Sequence, residues 1–215
     1  MPGTALAIAI SPTNTPYVAA ASSPDPVQHH NAITATTRDV AMGSITNNSG
    51  RNITDSAAIV TAGLLPPGSH GNNDEYSLGL EFLTDIPVAG KTVVTASLTL
   101  FVNATYPSPG VIKLYISAHD ADTPAALSTT VGDLRASVRP RTTATTIKDV
   151  SSVTASQPIE IDVSSVIQEL LDRPGWTATR IVMLVDTHED TSVGEWQDFD
   201  HFPVTPAELD IWTSD

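Results

Sequence analysis

One short helix, predicted over residues 164–176, most constrains the fold of this chain, because the rest of the sequence is patterned as strands. Ser165 is expected to cap the first turn, with Gln168 reaching back to it. Pro174 and Gly175 are expected to end the helix. The apolar residues that recur at helical spacing are Val166, Ile167, Leu170 and Leu171. A single amphipathic helix placed between two strands predicts a lid over one end of a β-sandwich.

Three segments have apolar side chains at alternate positions, the pattern of strands with one face in a core. They are residues 76–82, 93–102 and 111–118. The side chains expected in the core are Tyr76, Leu78, Leu80, Phe82, Ala96, Leu98, Leu100, Val102, Ile112, Leu114 and Ile116. Weaker strand patterns lie at residues 36–45, 53–64, 145–147, 159–163, 181–185, 194–199 and 209–213. The sequence therefore predicts an all-β fold, an antiparallel β-sandwich of the jelly-roll type with one short helix.

The N-terminal region has a different composition from the rest. Residues 1–35 are rich in Pro, Ser, Thr and Ala, which cannot bury enough apolar surface to fold alone. We expect an extended N-terminal arm over residues 1–35 and a jelly-roll domain over residues 36–215. Fixed proline φ angles reduce the entropy that such an arm loses when it docks on a partner. The arm residues expected to contact that partner are Pro12, Pro16, Tyr17, Val18, Pro24 and Pro26.

The chain is acidic and contains no cysteine, with a formal net charge of −14 and 10 basic residues among 215. Nucleic acid is not expected as a partner, because phosphate contacts need clustered Lys and Arg. No apolar run approaches the ~20 residues of a membrane span, and the first residues lack the basic region of a signal peptide. We expect an unprocessed chain that is made in a reducing cytoplasm and binds no membrane.

Asp120 and Asp122 are the candidate metal ligands, because alternate carboxylates in a loop can bind a hard cation such as calcium. The competing interpretation is that these aspartates cap the turn, as loop aspartates most often do. Apart from structural calcium, no cofactor is expected. The sequence has no nucleophile elbow, zinc-protease helix or phosphate-binding glycine loop, so enzymatic activity is not expected.

The densest group of aromatic and acidic residues lies within residues 188–201. A sugar could stack on an indole ring there while carboxylates bind its hydroxyl groups. The candidate ligand-binding residues are Trp196, Asp198, Asp200 and His201. The simpler interpretation is that Trp196 and Phe199 pack at the edge of the sandwich while the acidic residues face water. A contact with another protein is the third reading.

Arg139, Arg141 and Arg173 are expected to form structural ion pairs. A guanidinium group can bind a carboxylate through two parallel hydrogen bonds. Such pairs can hold loops in place in a protein that has no disulfides. No functional role is required of these three residues.

Four sequence segments resemble a known family, and the last is the most specific. They are residues 85–100, 118–122, 139–143 and 162–176. Over its last two-thirds, the chain resembles a jelly-roll domain of bacterial and phage surface proteins, of the DNRLRE type and similar to some carbohydrate-binding modules. The resemblance implies a non-enzymatic attachment or structural role.

Composition and resemblance together predict a structural protein of a bacteriophage virion, a capsid decoration or minor capsid protein that docks through its arm. The predicted location is the virion, and the expected partners are major capsid or tail subunits and further copies of the chain. The alternative is a carbohydrate-binding or adhesin module of a tail fibre or bacterial surface that binds glycans through the Trp196 loop.

Overall fold

The computed structural model describes residues 31–34, 39–43, 56–59, 68–70, 74–83, 91–104, 110–128, 133, 134, 136–177, 180–192, 197–199 and 207–214. Within them lie twelve strands and one helix. In chain order these are β1 (Asn31–Thr34), β2 (Asp39–Gly43), β3 (Ser56–Ile59), β4 (Gly68–His70), β5 (Asp74–Leu83), β6 (Thr92–Ala104), β7 (Lys113–Ala118), β8 (Thr146–Asp149), β9 (Pro158–Asp162), α1 (Ser164–Leu171), β10 (Arg180–Thr187), β11 (Asp198–Phe199) and β12 (Glu208–Ser214).

The strands form two antiparallel sheets, which confirms the predicted all-β sandwich with one short helix. Sheet 1 has the order β1-β12-β6-β11, and β9 also pairs with β6. Sheet 2 has the order β3-β2-β5-β10-β7-β8, and β4 also pairs with β5. Consecutive strands β5, β6 and β7 alternate between the sheets, and buried side chains from both sheets belong to one core, as in a β-sandwich.

The main core lies between the two sheets and consists of side chains at alternate strand positions. On β5, Leu78, Leu80 and Phe82 are buried. The inward side chains expected on β6 and β7 are buried as predicted, and they are Ala96, Leu98, Leu100, Val102, Leu114 and Ile116, with Ile112 just before β7. Tyr76 lies in β5, but its side chain falls outside the described residues. These confirmed positions follow from the period-two rule alone.

Helix α1 closes one end of the core, where it packs against β6 and β7, one strand from each sheet. Its buried side chains are the four predicted ones, Val166, Ile167, Leu170 and Leu171. The predicted capping box is wrong: the helix begins at Ser164, after Val163, and the N-cap residue forms no side-chain cap. Gln168 instead binds the start of β6, accepting the Val93 N–H at 2.6 Å and donating to the Lys91 carbonyl at 3.2 Å. Gln168 therefore contacts the sheet in place of the predicted bond back to the start of the helix.

The sequence Asp-Val-Ser occurs at residues 149–151 and 162–164 and forms the same structure twice. The Asp162 carboxylate accepts hydrogen bonds from the Ser164 N–H at 2.9 Å and hydroxyl at 2.6 Å. The Ser164 hydroxyl oxygen then accepts the Ala96 N–H of β6 at 2.8 Å. Asp149 binds Ser151 in the same way, and the Ser151 hydroxyl oxygen accepts the Ile112 N–H. Each motif thus ties the end of one strand to its neighbour, while its valine is buried.

Two strands lie where the sequence predicted none. Residues 31–34, which were assigned to the N-terminal arm, form β1 and pair with β12. Residues 68–70 form β4, which pairs with β5. The rest of the predicted arm, including Pro12, Pro16, Tyr17, Val18, Pro24 and Pro26, lies outside the described residues. The division into arm and domain stays a prediction, with the addition that residues 31–34 join sheet 1.

Candidate functional site

The most connected group of charged side chains in the described part of the chain surrounds a long loop on the outer face of sheet 2. We call residues 119–141, between β7 and β8, the cover loop; the structure describes 119–128, 133, 134 and 136–141 of it. A second core forms beneath it from Leu127 and Leu134 of the loop and Val182 and Leu184 of β10. The loop therefore buries a sheet face that would otherwise meet water.

Gly79 of β5 lies directly beneath these leucines. A Cβ atom built at Gly79 would lie 2.8 Å from Leu134 Cδ2 and 3.0 Å from Leu127 Cδ2. Both distances are tighter than ordinary van der Waals contact, so the absent side chain gives the loop room to lie against the sheet.

Arg139 holds the loop together from within and is only 2% exposed. Its Nη2 donates to both carboxylate oxygens of Asp133, at 3.0 and 2.8 Å, and to the Ala126 carbonyl at 2.8 Å. Its Nη1 donates to the Ala125 carbonyl at 2.9 Å and lies 3.2 Å from Nδ1 of His119. A buried guanidinium needs such partners, and both terminal nitrogens of Arg139 have them, whereas its buried Nε has none among the described residues.

Arg141 fastens the end of the loop to the sheet. It binds Asp186 of β10 through two hydrogen bonds, Nε to Oδ2 at 3.1 Å and Nη2 to Oδ1 at 3.2 Å. It also donates to the carbonyls of Arg139 and Leu134. Asp186 accepts a further hydrogen bond from the Ser77 hydroxyl of β5 at 2.6 Å. One carboxylate thus joins the loop to two strands.

Glu81 and Arg180 hold the opposite side of the loop. Glu81 is 3% exposed and accepts the Leu127 N–H at 2.7 Å. Arg180, at the start of β10, donates from Nε to Glu81 at 2.9 Å and from Nη1 to the Pro124 carbonyl. The loop is therefore fixed to the sheet at two separate places, by the Arg141–Asp186 ion pair at one and by hydrogen bonds to the Glu81–Arg180 pair at the other.

Arg173, which follows α1, binds both Asp120 and Asp122. Its Nε donates to Asp122 Oδ1 at 2.7 Å, and its Nη1 donates to Asp120 Oδ1. These are the two residues that the sequence offered as calcium ligands. With a guanidinium already bound to both carboxylates, the residues present do not fit a calcium site, because a cation would have to displace Arg173.

His119 sits inside this network at the end of β7 and is 7% exposed. Burial, the largest cause, and the nearby positive charges of Arg139 and Arg141 together lower the pKa of His119 from 6.5 to about 4. Asp133 and Asp120 oppose that shift only in part. His119 is therefore neutral at neutral pH.

The predicted structural arginines are confirmed: Arg139, Arg141 and Arg173 each bind carboxylates of this chain. Sequence reasoning missed Arg180 and Glu81, and it noted His119 only beside the candidate metal ligands Asp120 and Asp122. One signal was present, since the run Ile181 to Val185 is apolar at both odd and even positions. Such a run indicates a strand buried on both faces, and hence a cover over sheet 2.

The predicted ligand-binding loop is described only at its end. Trp196, Asp200 and His201 lie outside the described residues, and Asp198 lies in β11, which pairs with β6. Phe199 is 1% exposed and belongs to the main core, which agrees with the packing interpretation for that residue. Glycan binding through Trp196 stays a prediction.

The comparisons with known proteins found no match: no family model matches the chain, and no curated protein matches it. In the described residues, no set of three or more His, Asp or Glu side chains is placed to hold a metal ion. The one helix of that part of the chain has eight residues and lacks the length and apolar character needed to cross a bilayer.

Proposed function

We propose that this chain is a non-enzymatic structural protein of a bacteriophage virion, a capsid decoration or minor capsid protein that docks through its N-terminal arm. The proposal rests on one observation, namely that the arginine side chains of the described residues form ion pairs within the chain. Arg139, Arg141, Arg173 and Arg180 each bind carboxylates of the same chain. Charged groups that could otherwise take part in catalysis or ligand binding therefore hold a loop in place. This arrangement is what we expect of a rigid structural module.

The fold class is consistent with a structural protein of a virion. Jelly rolls form viral capsid domains and lectin domains, although the fold alone does not fix the function. The net charge of −14 favours protein partners over nucleic acid, since few cations are available for phosphates.

The position of β1 supports docking through the arm. β1 is the end strand in the order of sheet 1, paired with β12. The segment before Asn31 is therefore attached to a sheet edge, where backbone groups can pair with a neighbouring chain. An arm that starts there can cross to an adjacent subunit without disturbing the core.

Deletion of residues 2–30 from the full chain tests this role, since it leaves β1 in place. We expect the shortened protein to keep the far-ultraviolet circular dichroism and melting temperature of the full chain but to be missing from purified particles, as measured by mass spectrometry. Normal stoichiometry of the shortened chain would overturn the role of the arm. Absence of the full-length chain from particles would overturn the virion assignment itself.

A matched control removes residues 2–34 and so takes away β1 as well. This deletion should lower the melting temperature, because β12 loses a hydrogen-bonded neighbour. A glycan array run with the full chain and a Trp196→Ala variant covers the alternative. Sugar binding that the substitution abolishes would replace the structural proposal with a carbohydrate-binding one.

A further inference from the structure

We propose that the outer face of sheet 1, which we call the open face, is a docking surface for an extended basic segment of a partner protein. The surface is formed by β6, β9 and β12, so its role is independent of the N-terminal arm and of the virion assignment. Alternate side chains of these strands are buried in the main core, and the others lie on the open face. The open-face residues are Ser97, Thr99 and Phe101 of β6, Pro158, Glu160 and Asp162 of β9, and Glu208, Asp210 and Trp212 of β12.

Four carboxylates form a regular array on the open face. The register places Glu208 and Glu160 on either side of Thr99. At the neighbouring outward position of β6, Asp210 and Asp162 form the same arrangement. The spacing is about 7 Å along each strand and about 10 Å from β9 to β12, because β6 lies between them. Within the described part of the chain, no three His, Asp or Glu side chains are placed to hold one metal ion. A partner with several separate positive charges therefore fits this array.

No basic side chain of the described strands of sheet 1 balances these carboxylates. None of the five strands contains Lys, Arg or His. Lys148 of β8 approaches from sheet 2, but its ammonium group donates to the backbone carbonyl of Glu160 at 2.9 Å. The ion pairs between described residues use other carboxylates, those of Glu81, Asp120, Asp122, Asp133, Asp186 and Asp190. Carboxylates at these distances repel one another, and a basic partner would relieve that repulsion.

Partly exposed aromatic rings lie at the two ends of the array. Phe101 lies beside Pro158 of β9, and Trp212 lies beside Thr95 of β6. Thr95 and Phe101 are separated by about 20 Å along β6, which is the length of about six extended residues. The guanidinium group of Arg and the ammonium group of Lys bind to the faces of such rings. A basic segment can therefore contact both rings and the carboxylates between them.

Charge and spacing together select the class of partner. Nucleic acids and anionic membranes carry the same sign of charge as the open face and are repelled by it. A neutral glycan could stack on the rings, but it has no charge to balance the carboxylates. An extended peptide presents alternate side chains about 7 Å apart, which is the spacing of the carboxylates along β9 and β12. A peptide with Lys or Arg at alternate positions matches both features.

Binding of a synthetic basic peptide to the full chain tests the proposal. The probe is a fluorescein-labelled peptide of alternating Lys and Thr, about eight residues long so that it spans the face. Fluorescence anisotropy at about 10 mM ionic strength, where the Debye length is about 30 Å, should show saturable binding. The Kd should rise as salt is added, and a peptide of alternating Glu and Thr should not bind. Absence of Lys-Thr peptide binding at low ionic strength would overturn the proposal.

A double variant removes two exposed carboxylates from the open face. Glu160→Gln combined with Glu208→Gln should raise the Kd roughly fivefold, because two exposed ion pairs with the peptide are lost. The matched control combines Asp149→Asn with Glu189→Gln, which removes the same charge from exposed residues outside sheet 1. It should raise the Kd by less than about twofold. Equal losses would show that the peptide responds only to the net charge of −14, and the docking surface would be refuted.

A second variant places a positive charge in the middle of the open face. Thr99→Lys brings an ammonium group between Glu208 and Glu160. Peptide binding should weaken at least as much as in the double variant, while the melting temperature stays the same or rises. Unchanged affinity in this variant would contradict binding at the open face.

NMR titration of the full chain locates the bound peptide. Amide resonances of β6, β9 and β12 should shift as the peptide is added, while those of β10 stay constant. Shifts confined to sheet 2 would overturn the proposal. A neutral glycan that binds the open face, when the Lys-Thr peptide does not, would overturn the choice of partner.

Discussion

The outer faces of the two sheets differ in burial. This difference explains why apolar residues alternate along some strands in the sequence but are continuous along β10. On sheet 2, the cover loop buries the outer side of β10, so Ile181 to Val185 are all buried. On sheet 1, the outward side chains of β6, including Ser97, Thr99 and Phe101, are partly exposed. A strand with two buried faces is apolar throughout, whereas one with a single buried face alternates.

Charge is also distributed differently on the two faces. On sheet 2, Glu81 and Asp186 lie under the cover loop and bind arginines. On sheet 1, the register places Asp210 and Asp162 on either side of Ser97, and Glu208 and Glu160 on either side of Thr99. Three of these four carboxylates belong to exposed residues. The open face thus carries exposed carboxylates, while paired charges hold the covered one.

The largest expected effect is at Arg139, the most buried of the loop arginines. Arg139→Met leaves the Asp133 carboxylate buried without its partner, and we expect a loss of about 3–5 kcal/mol in the free energy of unfolding. Urea denaturation at pH 7 measures it. Arg173→Met is the control, because Arg173 and its aspartates are partly exposed, and it should cost no more than about 1 kcal/mol.

A double variant sharpens this prediction. Adding Asp133→Asn to Arg139→Met removes the unpaired charge but keeps an acceptor for the Ser128 N–H, so part of the lost stability should return. Equal costs for Arg139→Met and Arg173→Met would mean that the cover loop does not bury its charges, and the contrast between the two faces would fail.

The second core should respond to truncation less strongly than the buried ion pair but more than the open face. Leu134→Ala removes apolar contacts with Val182 and Leu184, and we expect about 2–4 kcal/mol of destabilisation. Thr99→Ala on the outer face of sheet 1 should change the free energy of unfolding by less than about 0.5 kcal/mol. Similar values for the two variants, measured by urea denaturation, would contradict a covered sheet 2.

Gly79 gives a smaller test of the same packing. Gly79→Ala places a methyl group 2.8 Å from Leu134 Cδ2, so the leucine side chains must shift. Because side-chain ends move more easily than backbone, we expect a cost of only about 1 kcal/mol, at the low end for overpacked sites. Ser97→Ala is the matched change on the open face and should be close to neutral. A stabilised Gly79→Ala protein would show that the loop does not lie where we describe it.

The sequence was sufficient for the main core because that core obeys one local rule. Leu78, Leu98 and Leu114 are inward for the same reason, namely the alternation of side chains along a strand. The helix was found through its 3.6-residue period, but its cap was predicted wrongly. Gln168 forms its bonds with β6, about 75 residues earlier in the chain, and no local pattern records such a partner.

Only part of the candidate site could be predicted, because its contacts also join residues that are far apart in the sequence. Arg139, Arg141 and Arg173 could be recognised as structural, since a protein without cysteine needs other ties for its loops. Their partners could not be assigned, because Asp186 and Arg141 are 45 residues apart and meet only when β10 lies beside β7. The local sequence does not distinguish His119 from a surface histidine. Its lowered pKa arises from burial and from the guanidinium groups of Arg139 and Arg141, which are close in space but distant in the sequence.

The smallest effect concerns the two Asp-Val-Ser motifs, one at the edge of each sheet. Hydrogen bonds from the hydroxyl and N–H of Ser164 lower the pKa of Asp162, and those of Ser151 lower the pKa of Asp149 in the same way. A carboxyl group with a lowered pKa stabilises the fold above its unfolded value and loses that contribution as the pH falls through the folded one. Both aspartates are largely exposed, so solvent screening should limit each effect to a few tenths of a kcal/mol.

Asp162→Asn and Asp149→Asn should therefore each reduce, by a similar small amount, the loss of stability that the unmodified chain shows below pH 4. Urea denaturation between pH 5 and pH 2.5 measures that slope, and NMR titration of the remaining aspartate in each variant provides an independent value. The serine of each motif binds the backbone of the neighbouring strand or of the residue just before it, so equal slopes are expected even though one motif lies beside the open sheet and the other beside the covered one. A much larger change for Asp149→Asn would mean that the charged groups of the covered sheet also affect the stability of β8. The two faces would then be less independent than their hydrogen bonds indicate.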